Sequence, residues 1–196
     1  MSTVTAVIKD GYISIASESQ TTYGYTKIPG EYMHNDIKLY EWGASVIGLV
    51  GSVSMAMVLQ DLISKSKKEP NFSTPHHIFR FFKTLHPKLK KEYFLHSKDE
   101  DDDPVETSRF KILLANKYGL FGVDPMREVT HYNQFWAIGS GTRFALGAMY
   151  ATYGLDGFDA AKIAHLGVET ASTFDLYSSG EIHAKTIKMV RPRKKT

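Results

Sequence analysis

The sequence predicts an α+β fold: a four-layer αββα sandwich of two antiparallel sheets flanked by helices. Three observations predict it. Apolar, β-branched strands come in groups and helical stretches come in pairs, instead of the strict strand–helix alternation of a doubly wound parallel sheet. The chain opens on a hairpin, with Lys9-Asp10-Gly11 between Ser2–Ile8 and Tyr12–Ala16, and Asp-Gly is a strong signal for a tight turn. The run Ala44–Val50 is almost wholly apolar, which suits a strand covered on both faces.

The remaining elements follow in order. A polar connection, Tyr25 to Asp36, holds Pro29, Gly30 and Asn35. The second hairpin sets Ile37–Tyr40 against Ala44–Val50, with Glu41-Trp42-Gly43 as its turn. A helix starts at Gly51-Ser52, where Ser52 or Ser54 can cap it, and ends before Pro70. Thr74-Pro75 opens a second helix, with Ile78, Phe79, Phe82, Leu85 and Leu89 at helical spacing. Pro87 is expected to kink this helix or divide it. Ser97 to Ser108 carries six carboxylates between Asp99 and Glu106 and lacks the central glycine of a calcium loop, so it reads as a mobile surface loop. Strands resume at Phe110–Ala115, Leu120–Val123 and Phe135–Ile138, the last running into Gly139-Ser140-Gly141. Helices follow at Thr142–Tyr153, ended by Gly154, and at Asp159–Thr173. The last strand is Glu181–Val190.

Composition narrows the function classes. A chain of 196 residues with 42% hydrophobic and 23% charged residues is expected to form one domain, residues 2–190, with a solvated basic tail at 191–196. A net charge of +3, with basic residues scattered, gives no case for nucleic acid. No cysteine is present, which removes disulfides and thiolate metal sites. Neither a signal peptide nor a membrane-spanning apolar run is visible, and the expected compartment is the cytoplasm. The histidines form no metal motif and read as surface or capping residues; neither a metal nor a cofactor is expected. The glycines of Gly48-Leu49-Val50-Gly51 and Gly139-Ser140-Gly141 do not have nucleotide-binding spacing.

The N-terminus carries the chemistry. Removal of Met1 would make Ser2 the terminus, with its own α-amine beside its own Oγ. Such an amine has a reference pKa of about 7.7–8.0, so part of it is free base near neutrality. A hydroxyl paired with it is an activated nucleophile.

Four stretches, STVTAV…DGYISIASESQTTYG, VIGLVGSVSMA, FWAIGSGTRFALGAMYA and FDLYSSGEI, appear in this order. With their strand and helix context they resemble the proteasome β-type N-terminal nucleophile hydrolases, above all the HslV-like peptidases and bacterial proteasome homologues. The resemblance implies a peptidase whose nucleophile is Ser2, where the family usually has threonine. Thr3 is the rival if one more residue is trimmed. It implies Glu18, in place of the usual aspartate, holding an active-site lysine at Lys38, with Lys27 as the rival lysine. It implies an oxyanion donor at the Gly48 N–H and a polar cluster of Ser140, Asp175 and Ser178 around the terminal amine. It further implies hexameric or heptameric rings stacked in pairs, an unfolded polypeptide substrate and an ATP-driven unfoldase as partner. Two other readings stand beside it: an inactive ring or scaffold subunit of the same fold, and an amidase acting on a small amide.

Overall fold

Period-two alternation sets the layers of this molecule. The computed structural model describes residues 2–98 and 103–190. Strands β1 (Thr3–Lys9) and β2 (Tyr12–Glu18) pair antiparallel from Val4↔Ser17 to Lys9↔Tyr12. Asp10 and Gly11 both take positive φ, 51° and 82°, as a two-residue hairpin turn needs.

The ribbon β3 (Thr21–Tyr23) and β4 (Thr26–Ile28) follows, with a single 3-10 turn at Gly30–Tyr32. Then come β5 (Leu39–Trp42) and β6 (Ser45–Gly51), helices α1 (Val53–Ser64) and α2 (Pro75–Glu92), and strands β7 (Phe110–Asn116), β8 (Gly119–Val123), β9 (Val129–Tyr132) and β10 (Phe135–Gly139). Helices α3 (Thr142–Tyr153) and α4 (Ala160–Phe174) and strand β11 (Ile182–Lys188) complete the described chain. One sheet has the order β10-β1-β2-β11 and the other β5-β6-β7-β8-β9, and neighbouring strands in both run antiparallel.

Three apolar cores separate four layers. Val4, Ala6, Ile13 and Ile15 meet Leu39, Val46, Leu113 and Leu120 between the sheets. The opposite parity of the first sheet, Val7 and Ala16, packs on Ala145, Met149, Ile163 and Ala164 of α3 and α4. The opposite parity of the second, Ile47, Leu49, Ile112 and Leu114, packs on Leu59, Ile78 and Phe82 of α1 and α2. Each such fully buried Leu, Ile or Phe contributes about 1.5–3 kcal/mol over leaving it in water.

The helix starts match the expected chemistry. Ser52 Oγ accepts the Met55 N–H, Thr74 Oγ1 accepts the His77 N–H, and Asp159 Oδ1 accepts the Lys162 N–H.

Several expectations need correction. Helix α2 runs undivided through Pro87, held by Leu85, His86 and Leu89 buried on its inner face. Trp42 ends a strand, paired with Ser45, so the turn is Gly43-Ala44. The connection before Lys38 contains the β3–β4 ribbon, and β9 adds an edge strand. Within the acidic segment, residues 99–102 lie outside the described residues, but its far end is anchored: Glu106 pairs with Lys90 and His86, and the Thr107 N–H donates to the Ser97 carbonyl. His86 is neither surface nor cap. It is buried, with its ring nitrogens against Ser108 Oγ and Glu106, and Arg127 beside it. The expected basic tail, 191–196, lies outside the described residues.

Candidate active site

The site grows from the parity of β1. Val4 and Ala6 face the inter-sheet core, whereas Thr5 and Val7 face α3 and α4. Carried back, the alternation turns Thr3 toward the helices and Ser2 toward the open end between the sheets. There Ser2 lines a cleft of about 520 Å³ with Thr21, Lys38, Tyr40, Gly51, Val53 and Met57. The Ser2 carbonyl accepts the Ser140 N–H at 3.0 Å. Gly139 makes this approach feasible: its φ is +107°, and a Cβ there would stand 1.7 Å from the Ser2 carbonyl oxygen.

Thr3 is an anchor. Its N–H donates to Glu18 Oε1 at 3.1 Å. Its hydroxyl is fully buried, accepts the Gly141 N–H at 3.1 Å and lies 2.7 Å from Ser178 Oγ. Ser178 Oγ donates to Asp175 Oδ2 at 2.7 Å, so its proton is committed and Thr3 donates to it. Ser140 Oγ donates to the same Asp175 oxygen at 2.6 Å. The expected trio Ser140, Asp175 and Ser178 is therefore one connected cluster. It reaches the N-terminal strand through the Thr3 hydroxyl and the Ser2 carbonyl.

Glu18 and Lys38 form the second cluster. Lys38 Nζ donates to Glu18 Oε1 at 2.6 Å, with the Glu18 side chain wholly buried and that of Lys38 13% exposed. Glu18 Oε2 accepts the Gln20 N–H at 2.7 Å and the Ser179 N–H at 3.4 Å, while Lys38 Nζ also donates to the Gln20 carbonyl. Burial, the larger cause, holds the Lys38 pKa below that of free lysine against the opposing pull of Glu18. Burial likewise raises Glu18 above the ordinary carboxylate range, against the charge and hydrogen bond of Lys38. The rival Lys27 is exposed on β4 and does not line this cleft.

Gly48 is not brought to the cleft. It stands mid-strand, between Leu39 and Leu113, and a Cβ on it would meet Val4 Cγ1 at 2.4 Å across the sheets. The Leu49 N–H donates to the Lys38 carbonyl on the β5 side. By the alternation of an antiparallel ladder, the Gly48 N–H therefore faces β7. Gly51 shares the parity of Leu49, and β5 begins only at Leu39. Its N–H thus faces the side where the cleft opens. Gly51 and the anchors Gln20 and Ser179 were not singled out as site residues from sequence. Their available signals were position alone: just before the Ser52 cap, two residues after Glu18, and one after Ser178.

No protein-family model matches the chain. Curated relatives match nearly its whole length. The ATP-dependent protease subunit HslV of Desulfovibrio desulfuricans is 25% identical over 186 residues, covering 94% of this chain and 97% of that protein. That of Paramagnetospirillum magneticum is 25% identical over 188 residues, covering 94% and 93%. The solved structure of Thiobacillus denitrificans BPH in complex with epoxomicin is 35% identical, covers 96% of this chain and 100% of that one, and has a TM-score of 0.90. HslV from Trypanosoma brucei is 21% identical with a TM-score of 0.63, covering 95% and 99%, a likeness of fold.

Proposed function

The chain belongs to the proteasome β-type N-terminal nucleophile hydrolases, with the HslV-like peptidases, and from that premise we propose that Ser2 Oγ is its nucleophile once Met1 is removed. It is a proteasome-like, self-compartmentalising peptidase. The observation that carries the residue assignment is the placement of Ser2 on the cleft beside a lysine held by Glu18.

The steps follow from the groups present. The Ser2 α-amine takes the proton of Ser2 Oγ, directly or through a water, and the neighbouring Lys38 ammonium favours the alkoxide. Oγ attacks the peptide carbonyl, and the Gly51 N–H receives the developing oxyanion. The leaving amine departs with the proton, leaving an ester on Ser2. Water hydrolyses that ester and restores the hydroxyl. The Ser140–Asp175–Ser178 cluster and the Thr3 hydroxyl hold the backbone of the nucleophile in place.

The substrate is unfolded polypeptide, threaded into a chamber formed by hexameric or heptameric rings stacked in pairs. An ATP-driven unfoldase delivers it, in keeping with relatives named as ATP-dependent protease subunits. Phe144 and Phe174, both exposed and with ring centroids 5.7 Å apart, form an apolar pair of the kind that assembly covers. No helix among the described residues is long and apolar enough to cross a membrane, and the cytosol is the proposed compartment. Residues 2–190 are proposed to act as one domain, since the two sheets share one core. An inactive scaffold reading is disfavoured by the intact Lys38–Glu18 pair.

The test is hydrolysis of a fluorogenic peptide by the assembled protein. Ser2→Ala is expected to abolish turnover, and Lys38→Met to lower it by about 10²–10⁴-fold. Turnover by Ser2→Ala at the wild-type rate would overturn the assignment.

A further inference from the structure

A second cluster lies beside the cleft, in a neighbouring groove, and shares Asp36 with the cleft lining. Glu181 stands just before edge strand β11 and His183 is the second residue of that strand, and the two side chains meet on one side of it. Asp36, from the segment leading into β5, comes to meet them. One donor atom of each lies within 4.8 Å of the others. The Asp36 Oδ2 to His183 Nε2 distance is 3.3 Å. That is long for a charge-assisted hydrogen bond, which favours about 2.7–2.9 Å. It matches two donors on one tetrahedral ion, which stand about 3.3–3.4 Å apart when each bond is about 2.0–2.1 Å.

A second observation points the same way. Ser19 Oγ is wholly buried and makes no hydrogen bond among the described residues. It packs against Gly30 and Gly180, two backbone edges that line the groove holding Asp36, Glu181 and His183. A Cβ at Gly30 would stand 2.4 Å from Ser19 Oγ and 3.0 Å from Asp36 Oδ2. The unpartnered Ser19 hydroxyl and the Asp36 carboxylate therefore stand against the same face of Gly30, at the edge of the groove.

The geometry points to a binding site for a divalent transition-metal ion of the zinc class, with Asp36, Glu181 and His183 as protein ligands. One imidazole and two carboxylates suit zinc better than magnesium or calcium, which take oxygen alone. No metal motif is legible in the sequence because Asp36 and His183 are brought together only by the fold.

The position gives such an ion a structural consequence. Asp36 lies two residues before Lys38, and Glu181 two after Ser179, whose N–H donates to Glu18. An ion shared by Asp36 and Glu181 clamps together the two segments that flank the Glu18 carboxylate. Binding itself is independent of the peptidase reading.

The test is calorimetric titration of chelator-treated full chain with Zn²⁺. We expect one ion per chain, with His183→Ala and the exposed Glu181→Gln each weakening binding at least about tenfold. Zn²⁺ is also expected to raise the melting temperature of the wild type but not of His183→Ala. Substituting His76 and His77, the adjacent surface pair on α2, is expected to leave binding unchanged. Ser2→Ala is expected to bind as the wild type does, whatever its peptidase result. Equal binding by the wild type and both ligand variants would overturn the site. So would loss of binding on substituting His76 and His77, or Mg²⁺ binding as tightly as Zn²⁺.

Discussion

A hydroxyl whose proton and lone pair are already engaged is poorly placed to attack, and that separates Thr3 from Ser2. The Thr3→Val substitution strands the Gly141 N–H and removes the donor to Ser178. It is expected to cost about 1–3 kcal/mol of stability in thermal or denaturant melts, while leaving Ser2 able to form a covalent adduct. The depressed pKa of Lys38 gives a pH dependence. Its proton leaves at lower pH than that of free lysine, about 10.4, and the ammonium that favours the alkoxide goes with it, so turnover should fall as pH rises on the alkaline side. Lys38→Arg keeps a permanent charge and is expected to lose that limb of the rate profile. Gly48→Ala should destabilise the molecule by about 1–3 kcal/mol, because its methyl meets Val4 across the sheets. The choice between Gly48 and Gly51 was not legible in the sequence. Both glycines stand in one short stretch, and only the strand register decides which amide faces the cleft.

At the scale of elements, capping chemistry read directly at two helices: Thr74 caps α2, and of the pair Ser52 and Ser54 it is Ser52 that caps α1. Strands rich in buried apolar residues read as well. The β3–β4 ribbon and β9 did not, because they are short and partly exposed, so neither a long apolar run nor a buried face marks them. Helix α2 contains a proline that sequence rules make a breaker, but its inner face is fixed by Leu85, His86 and Leu89. Pro87 is itself exposed, so Pro87→Ala should restore the missing backbone donor and raise stability by about 1–3 kcal/mol, read as a higher melting temperature. The link from α2 to the segment before β7 is acid-sensitive. Hydrogen bonds from Lys90, then His86, lower Glu106 from 4.5 to about 2. A carboxylate with a depressed folded-state pKa stabilises the fold above its unfolded value, and that contribution disappears as pH falls from 4.5 toward about 2. Melts of Glu106→Gln across that window should vary less with pH than those of the wild type.

At the scale of the molecule, two sheets and three apolar cores bring distant positions to one open end. Ser2 comes from the chain start, Glu18 from the end of β2, Lys38 from the entry to β5, and Gly51 from the end of β6. Ser140 follows β10, and Asp175 and Ser178 follow α4. Local periodicity gave the layers, because alternation and helical spacing are short-range properties of the chain. It could not assemble the site, whose members lie up to 175 residues apart in the Thr3–Ser178 contact. The four-stretch resemblance supplied that long-range pairing, and Glu18, Lys38, Ser140, Asp175 and Ser178 do converge. The metal-ligand cluster escaped the sequence for the same reason, since no motif spacing joins Asp36 to His183.

The most direct measurement is the intact mass of the purified protein before and after treatment with epoxomicin, the ligand named in the related Thiobacillus denitrificans structure. The account predicts loss of Met1 and one covalent adduct per chain, present in Thr3→Val and absent in Ser2→Ala. A chain that keeps Met1 and takes no adduct, or an adduct that survives Ser2→Ala, would contradict it.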